Sequence, residues 1–264
     1  MKESKLTHFI APPRWGEDHL THFQSVAIQN EFATFAHVSE WHGLMNAIAD
    51  DLSKCCDYAS ENITKTEDPS AFLLFMTANS NFLASARLVA SGLCLPAFST
   101  ARATMESALY GWYLEVTPGA AQRWHDKPTD REERNKWGRE FKFSALNFEL
   151  AKIFEGPAKW SKHLHQTSID FGAHPNRDAL YSNLANHLQE DGSSVLRWSV
   201  LHSWDTLAIM TTKFVIETGM FAVSLFGRAY PAADEAYHIL TSAEGYAQTL
   251  KGLVDGTTLF GESG

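Results

Sequence analysis

The chain has 264 residues, 44% of them hydrophobic and 20% charged, a composition that excludes a disordered, collagen-like or disulfide-scaffold protein. Lys and Arg number 22 against 31 Asp and Glu, a formal charge of −9, which opposes bulk attraction to nucleic acid or to an anionic membrane. Residues 1–18, with Pro12, Pro13 and Gly16, are expected to form an extended arm. The stretch Met1–His8 lacks the apolar segment of a signal peptide. From Leu20 to Ile63, apolar residues recur every three to four positions, which predicts one long helix or two with a break near His42-Gly43. Asp68-Pro69 supplies a cap-plus-proline start for the next helix.

The most apolar stretch, residues 71–95, is interrupted by Asn79, Asn81, Arg87 and several serines, so it reads as a core helix and not a membrane span. Pro96 is expected to close it, and a further helix follows from Ala97 to Val116. Thr129 with Glu132 matches a capping box for a helix carrying Trp137, Phe141, Ala145 and Phe148 on one stripe. Gly156-Pro157 and His174-Pro175 bracket a short helix. Ser193 is expected to open a long apolar helix reaching Phe226, with a short hairpin near 177–183 as the one candidate for strand structure. Pro231 starts the last helix, which ends near Leu253, and residues 256–264 form a tail. The expected fold is all-α: a single multi-helix bundle over 19–255 of about eight helices, mostly antiparallel.

Cys55, Cys56 and Cys94 cannot make a disulfide framework, two being adjacent, and they fit reduced thiols in a cytoplasmic protein. Between Pro69 and Met105 the only charges are Arg87 and Arg102. Glu106 and Tyr110 continue the Arg102 face at four-residue spacing. A guanidinium in apolar surroundings needs a partner. It is either an internal ion pair or the grip of a pocket for a small anionic ligand, lined by Arg87, Arg102, Glu106 and Tyr110. A second cluster holds His163, His165, Asp170, His174 and Arg177, with His174 beside a proline at a helix end, where it can cap carbonyls or act as an acid or base. From Arg123 to Lys162, ten Lys and Arg stand against seven Asp and Glu with aromatics interleaved, read as core positions plus a solvated face.

Metal and nucleotide templates are sparse. Only Glu235-Ala236-Tyr237-His238 fits the Glu-x-x-His half of a di-iron bundle site, and Walker, dinucleotide and Gly-x-Ser-x-Gly motifs are absent, so no cofactor is expected. His125-Asp126 resembles the doublet of HD-type metal-dependent hydrolases, and the resemblance implies His42 and Asp170 as further ligands. Arg197-Trp198-Ser199-Val200-Leu201-His202 resembles the Arg-x(4–6)-His signature of HEPN-type helical bundles over six residues, and Arg14 to His19 matches it a second time. That resemblance implies a metal-independent RNase of the toxin or defence type, with Arg197 and His202 catalytic and meeting across a dimer interface. Arg102 and Glu106, ahead of the His174 turn, are also similar to bacterial helical families of unsettled activity. The expected function is a ligand-binding or interaction bundle that self-associates as a homodimer through an apolar helix face. The HEPN-like RNase and the HD-type hydrolase are the alternatives.

Overall fold

In the computed structural model, which describes residues 11–173, 177–189 and 191–257, helices dominate and one two-stranded sheet interrupts them. Asp18 starts α1 (His19–His37): its carboxylate accepts from the Thr21 N–H at 2.9 Å, satisfying a donor the first turn cannot. The chain then breaks at Val38, not at Gly43, which lies inside α2 (Ser39–Asn62). Residues 1–10 of the expected arm lie outside the described residues. Pro12 to Asp18 form turns, with Arg14 and Gly16 at positive φ.

Helices α3 (Ser70–Ala90) and α4 (Cys94–Val116) are joined by a turn at Gly92, and Pro96 sits in the first turn of α4 instead of ending α3. Gly92 has φ of 88°, and a Cβ there would lie 2.3 Å from the His202 carbonyl oxygen, so both its backbone angle and its surroundings require glycine. The chain folds back, placing Gly111 of α4 against the Phe75 ring of α3. Next come α5 (Ala120–His125), α6 (Arg131–Glu140), α7 (Phe143–Ile153) and α8 (Glu155–Ser168). The cap of α6 is Asp130, one residue beyond Thr129, accepting from Glu132 and Glu133 N–H groups. The stripe from Trp137 to Phe148 spans two helices, leaving Phe148 exposed. A π-type turn, Ile169–Ala173, and the short α9 (Arg177–Tyr181) follow.

The expected helix from Ser193 is corrected by the structure. Strands β1 (Leu184–Leu188) and β2 (Ser194–Trp198) pair antiparallel, Leu184 opposite Trp198 and Leu188 opposite Ser194. Asp191-Gly192 makes the turn: Gly192 has φ of 80°, and the Asp191 carboxylate accepts from both the Ser193 N–H and its hydroxyl. Such a dipeptide between two short runs is a hairpin signal. Helix α10 (Thr206–Ala229) begins at its own cap, Asp205, which accepts from the Ala208 N–H at 2.9 Å. The hairpin thus follows the 177–183 segment, which is itself mostly helical. Pro231 opens α11 (Pro231–Tyr237) as expected, but His238 in the left-handed region separates it from α12 (Ile239–Gly256).

The core gathers around α10. Phe75 and Phe226 rings meet at 4.9 Å, and a Cβ at Gly219 would strike the Phe82 ring at 2.4 Å and Ile48 at 2.8 Å. Phe98 meets Phe214 at 5.0 Å, and Tyr58 meets both Phe72 and Phe226. These pairings set direction: α3 runs antiparallel to α2, α4 and α10, whereas α10 runs parallel to α2 and α4. Truncating a fully buried ring such as Phe82 costs about 3–5 kcal/mol. Helix α10 is long and apolar enough to cross a membrane, yet 83% of that stretch is buried within the bundle. Its neighbours have already taken up its apolar surface.

Candidate functional site

The residues expected to line an internal pocket are already engaged by partners within the protein. Arg102 donates from Nε to Glu106 Oε1 at 2.7 Å and places Nη2 3.0 Å from Nε2 of His165 on α8. The His165 ring stacks on Phe143 of α7 with centroids 3.7 Å apart. Tyr110 donates its hydroxyl proton to the Phe141 carbonyl. This network ties α4 to α7 and α8, which is a tether's geometry. Arg87 stands apart: its side chain is 72% exposed and pairs with Glu31 of α1 at 3.1 Å. His174 lies outside the described residues.

Arg197 and His202 do not share a helix. Arg197 is exposed on β2. His202 is buried in the loop before α10, with Nδ1 2.8 Å from Asp205 Oδ2 and Nε2 2.9 Å from Asn183 Oδ1. The helical setting that the HEPN resemblance implies for this pair is therefore replaced by a strand and a buried loop. His125 meets Ser70 Oγ at 2.9 Å and Asp68 Oδ2 at 3.1 Å, both through Nε2. A serine–histidine–aspartate relay needs the carboxylate on the opposite ring nitrogen, so this cluster clamps the start of α3, where Asp68 also accepts from the Ser70 N–H. Asp126 is taken by Gln122, Asp170 by Gln166, and His42 meets the edge of Phe35. Among the described residues, no three His, Cys, Asp or Glu side chains converge as metal ligands.

A cleft of about 630 Å³ opens elsewhere, between the first turn of α8 and helix α12, with α10 as its floor. Its volume lies in the range of small-molecule pockets. The floor is one helical face at three- to four-residue spacing: Lys213, Glu217, Met220, Ser224, Arg228. Pro157 and Trp160 form one wall, while Leu240, Ala243, Ala247, Leu250 and Val254 form the other, which also carries Glu244, Lys251 and Asp255. Lys213 and Glu217 pair at 2.7 Å at one end, so those charges are already matched.

At the other end Arg228 is unmatched. Among the described residues no carboxylate comes within ion-pair distance of it. Its Nη1 donates to the Ser224 hydroxyl at 3.1 Å and carbonyl at 3.3 Å, its guanidinium lies 5.0 Å from the centre of the Phe154 ring, and its Nε–H is buried without an acceptor. Burial pulls its pKa below the ordinary arginine range, with the fields of Asp234 and Glu244 acting in the opposite sense. A buried donor left unmade costs about 1–3 kcal/mol, and a guanidinium with no carboxylate partner at the end of a cleft can take an anion on its terminal N–H donors. Compared with protein-family models, with curated proteins and with solved structures, the chain matches none. The site therefore stands on its own geometry.

The sequence reading missed Arg228 because it ended the apolar helix at Phe226. One signal was available: the neighbours of Arg228 at three and four positions are Ser224, Leu225, Pro231 and Ala232. None is acidic, whereas Arg102 has Glu106 and Lys213 has Glu217 at that spacing.

Proposed function

We propose that this chain is a binding protein for an amphipathic organic anion: an extended apolar body lying along α10 between Trp160 and the α12 wall, with its carboxylate, sulfonate or phosphate on Arg228. The observation that carries this reading is a partly buried guanidinium, without a carboxylate partner among the described residues, closing one end of an apolar cleft. The charged head supplies what the protein leaves out, since a planar guanidinium binds such oxyanions through paired N–H donors. The three thiols are unbridged, Cys55 and Cys94 buried, and burial pushes the Cys94 thiol up to about 12. Such inert thiols fit work in the reducing cytoplasm.

The test uses dodecanoate and dodecanol as displacers of anilinonaphthalene sulfonate fluorescence from the wild type and from Arg228→Gln. Losing a charge-assisted contact of about 1.5–3 kcal/mol weakens binding by roughly 10-fold or more. The expected result is that loss for dodecanoate in the variant, with dodecanol unchanged. Equal affinity of both proteins for dodecanoate, or no binding by the wild type, overturns the reading.

A further inference from the structure

The β1–β2 hairpin presents its two faces unequally. Residues alternate across a strand, and the register puts Leu184, Asn186 and Leu188 on one face with Ser194, Leu196 and Trp198, while His187, Val195 and Arg197 occupy the other. The first face carries four apolar side chains, with Asn186 and Ser194 hydrogen-bonded to each other between them, and no formal charge, yet it is open to solvent: Leu188 is 81% exposed, Leu196 69% and Trp198 48%. Val200, just beyond β2 at the same parity, is 56% exposed. A two-stranded hairpin with nothing on its apolar face is marginal in water, and apolar side chains grouped in this way mark an interaction site.

We infer that this face is covered by the same face of a second copy of the chain, the two hairpins stacking about a two-fold axis. Three observations favour a second copy. Covering Leu188, Leu196, Trp198 and Val200 in both copies removes on the order of 1,000 Å² of surface, the lower bound for a specific interface and the size of a weak one. The uncharged face lets two chains, each of net charge −9, meet without opposing like charges at the contact, while Arg197 and His187 stay on the outer side. A two-fold contact needs a patch complementary to itself, and an apolar sheet face that packs flat on another meets that condition. The contact places the association on a sheet in place of the helix face expected from sequence, and it is independent of the Arg228 cleft.

Sedimentation equilibrium of the full chain tests it, at about 50 µM because interfaces of this size are weak. The expected result is a species of twice the 29.5 kDa protomer mass. Association should weaken at least tenfold in Leu196→Lys and in Leu188→Lys, one on each strand, with helical circular dichroism unchanged. Val195→Lys, on the outer face, should associate like the wild type. A monomeric wild type, a dimer that survives both leucine substitutions, or equal loss with Val195→Lys overturns the inference.

Discussion

The ring of His202 lies 2.8 Å from the carboxylate of Asp205, the same carboxylate that caps α10. The other ring nitrogen meets Asn183, whose amide donates to the Ala179 carbonyl, and the His202 backbone N–H donates to the Gly92 carbonyl. One loop residue thus joins the end of α9, the α3–α4 turn and the start of α10. A histidine and an arginine close in sequence resemble a catalytic pair, but the buried partners of this histidine describe a structural joint.

Asp205 makes that joint sensitive to pH. Burial acts to raise its carboxyl, but the His202 ring and the N–H groups of Ala208 and Leu207 outweigh it and hold it below the usual carboxylate value of 3.8. A depressed folded-state pKa contributes stability above the unfolded value, lost as pH falls through the folded one. Asp205→Asn keeps a good cap but removes the carboxylate from His202. It is expected to cost about 1 kcal/mol at pH 7, the half-exposed site discounting a charge-assisted contact. Thermal unfolding checks it: the gap between wild type and variant should be full above pH 4 and shrink below it.

Gly92 is a second constraint on that joint. The positive φ and the 2.3 Å approach of a Cβ to the His202 carbonyl make Gly92→Ala destabilising by roughly 2–4 kcal/mol, combining backbone strain with displacement of the joint. Chemical denaturation should show a lower midpoint with an unchanged slope. Gly43→Ala, where a Cβ meets open space inside α2, should stabilise by about 0.5–1 kcal/mol. Equal effects at the two positions would contradict this account.

Much of the architecture was legible because helical periodicity is clear where one face is buried, as along Leu44, Ile48, Leu52 and Cys55 of α2, while α10, buried on nearly all sides, shows as one long apolar run. The hairpin was missed for a physical reason. Ser194–Trp198 is only five residues long, breaks the polar–apolar alternation at Val195-Leu196 and runs on towards the apolar helix, so its strand signal merges with the helical one, and only Asp191-Gly192 marks the turn. The Arg102–Glu106 pair was readable from its four-residue spacing, and so were the two outcomes open to it. Its partner His165, 63 residues away, is a product of packing that no local pattern carries. The Arg228 cleft depends on α8, α10 and α12 meeting, and one sequence shows only that the arginine lacks a local partner.

That lack has a consequence for stability. Without a ligand, Arg228 holds a partly buried charge with a buried donor unmade. Replacing such a group by an apolar one of similar length is neutral or stabilising by about 1–4 kcal/mol. Arg228→Met is therefore expected to raise or preserve the thermal midpoint of the ligand-free protein while abolishing the stabilisation that dodecanoate confers on the wild type. Differential scanning fluorimetry with and without dodecanoate reads both effects. A large loss of stability in the ligand-free variant would instead make Arg228 a structural residue.

The α12 wall of the cleft is held from behind by a second polar joint. Tyr246 donates its hydroxyl to Asp51 Oδ2 of α2 at 2.6 Å, and Lys54 donates to Oδ1 of the same carboxylate, also at 2.6 Å. Asp51 is only 2% exposed, and burial together with the Asp51 charge pushes the Tyr246 hydroxyl well above its ordinary pKa, keeping it a donor. Tyr246→Phe leaves one lone-pair site of a buried carboxylate unmet, at a cost of about 1–3 kcal/mol. Because Ala243, Ala247 and Leu250 line the cleft on the same helix, loosening α12 should also weaken dodecanoate and dodecanol binding together. Arg228→Gln should separate those two ligands. Displacement titrations of the two variants side by side distinguish a wall residue from a head-group anchor, and a Tyr246→Phe protein that discriminated between acid and alcohol would place the anion at the wrong end of the cleft.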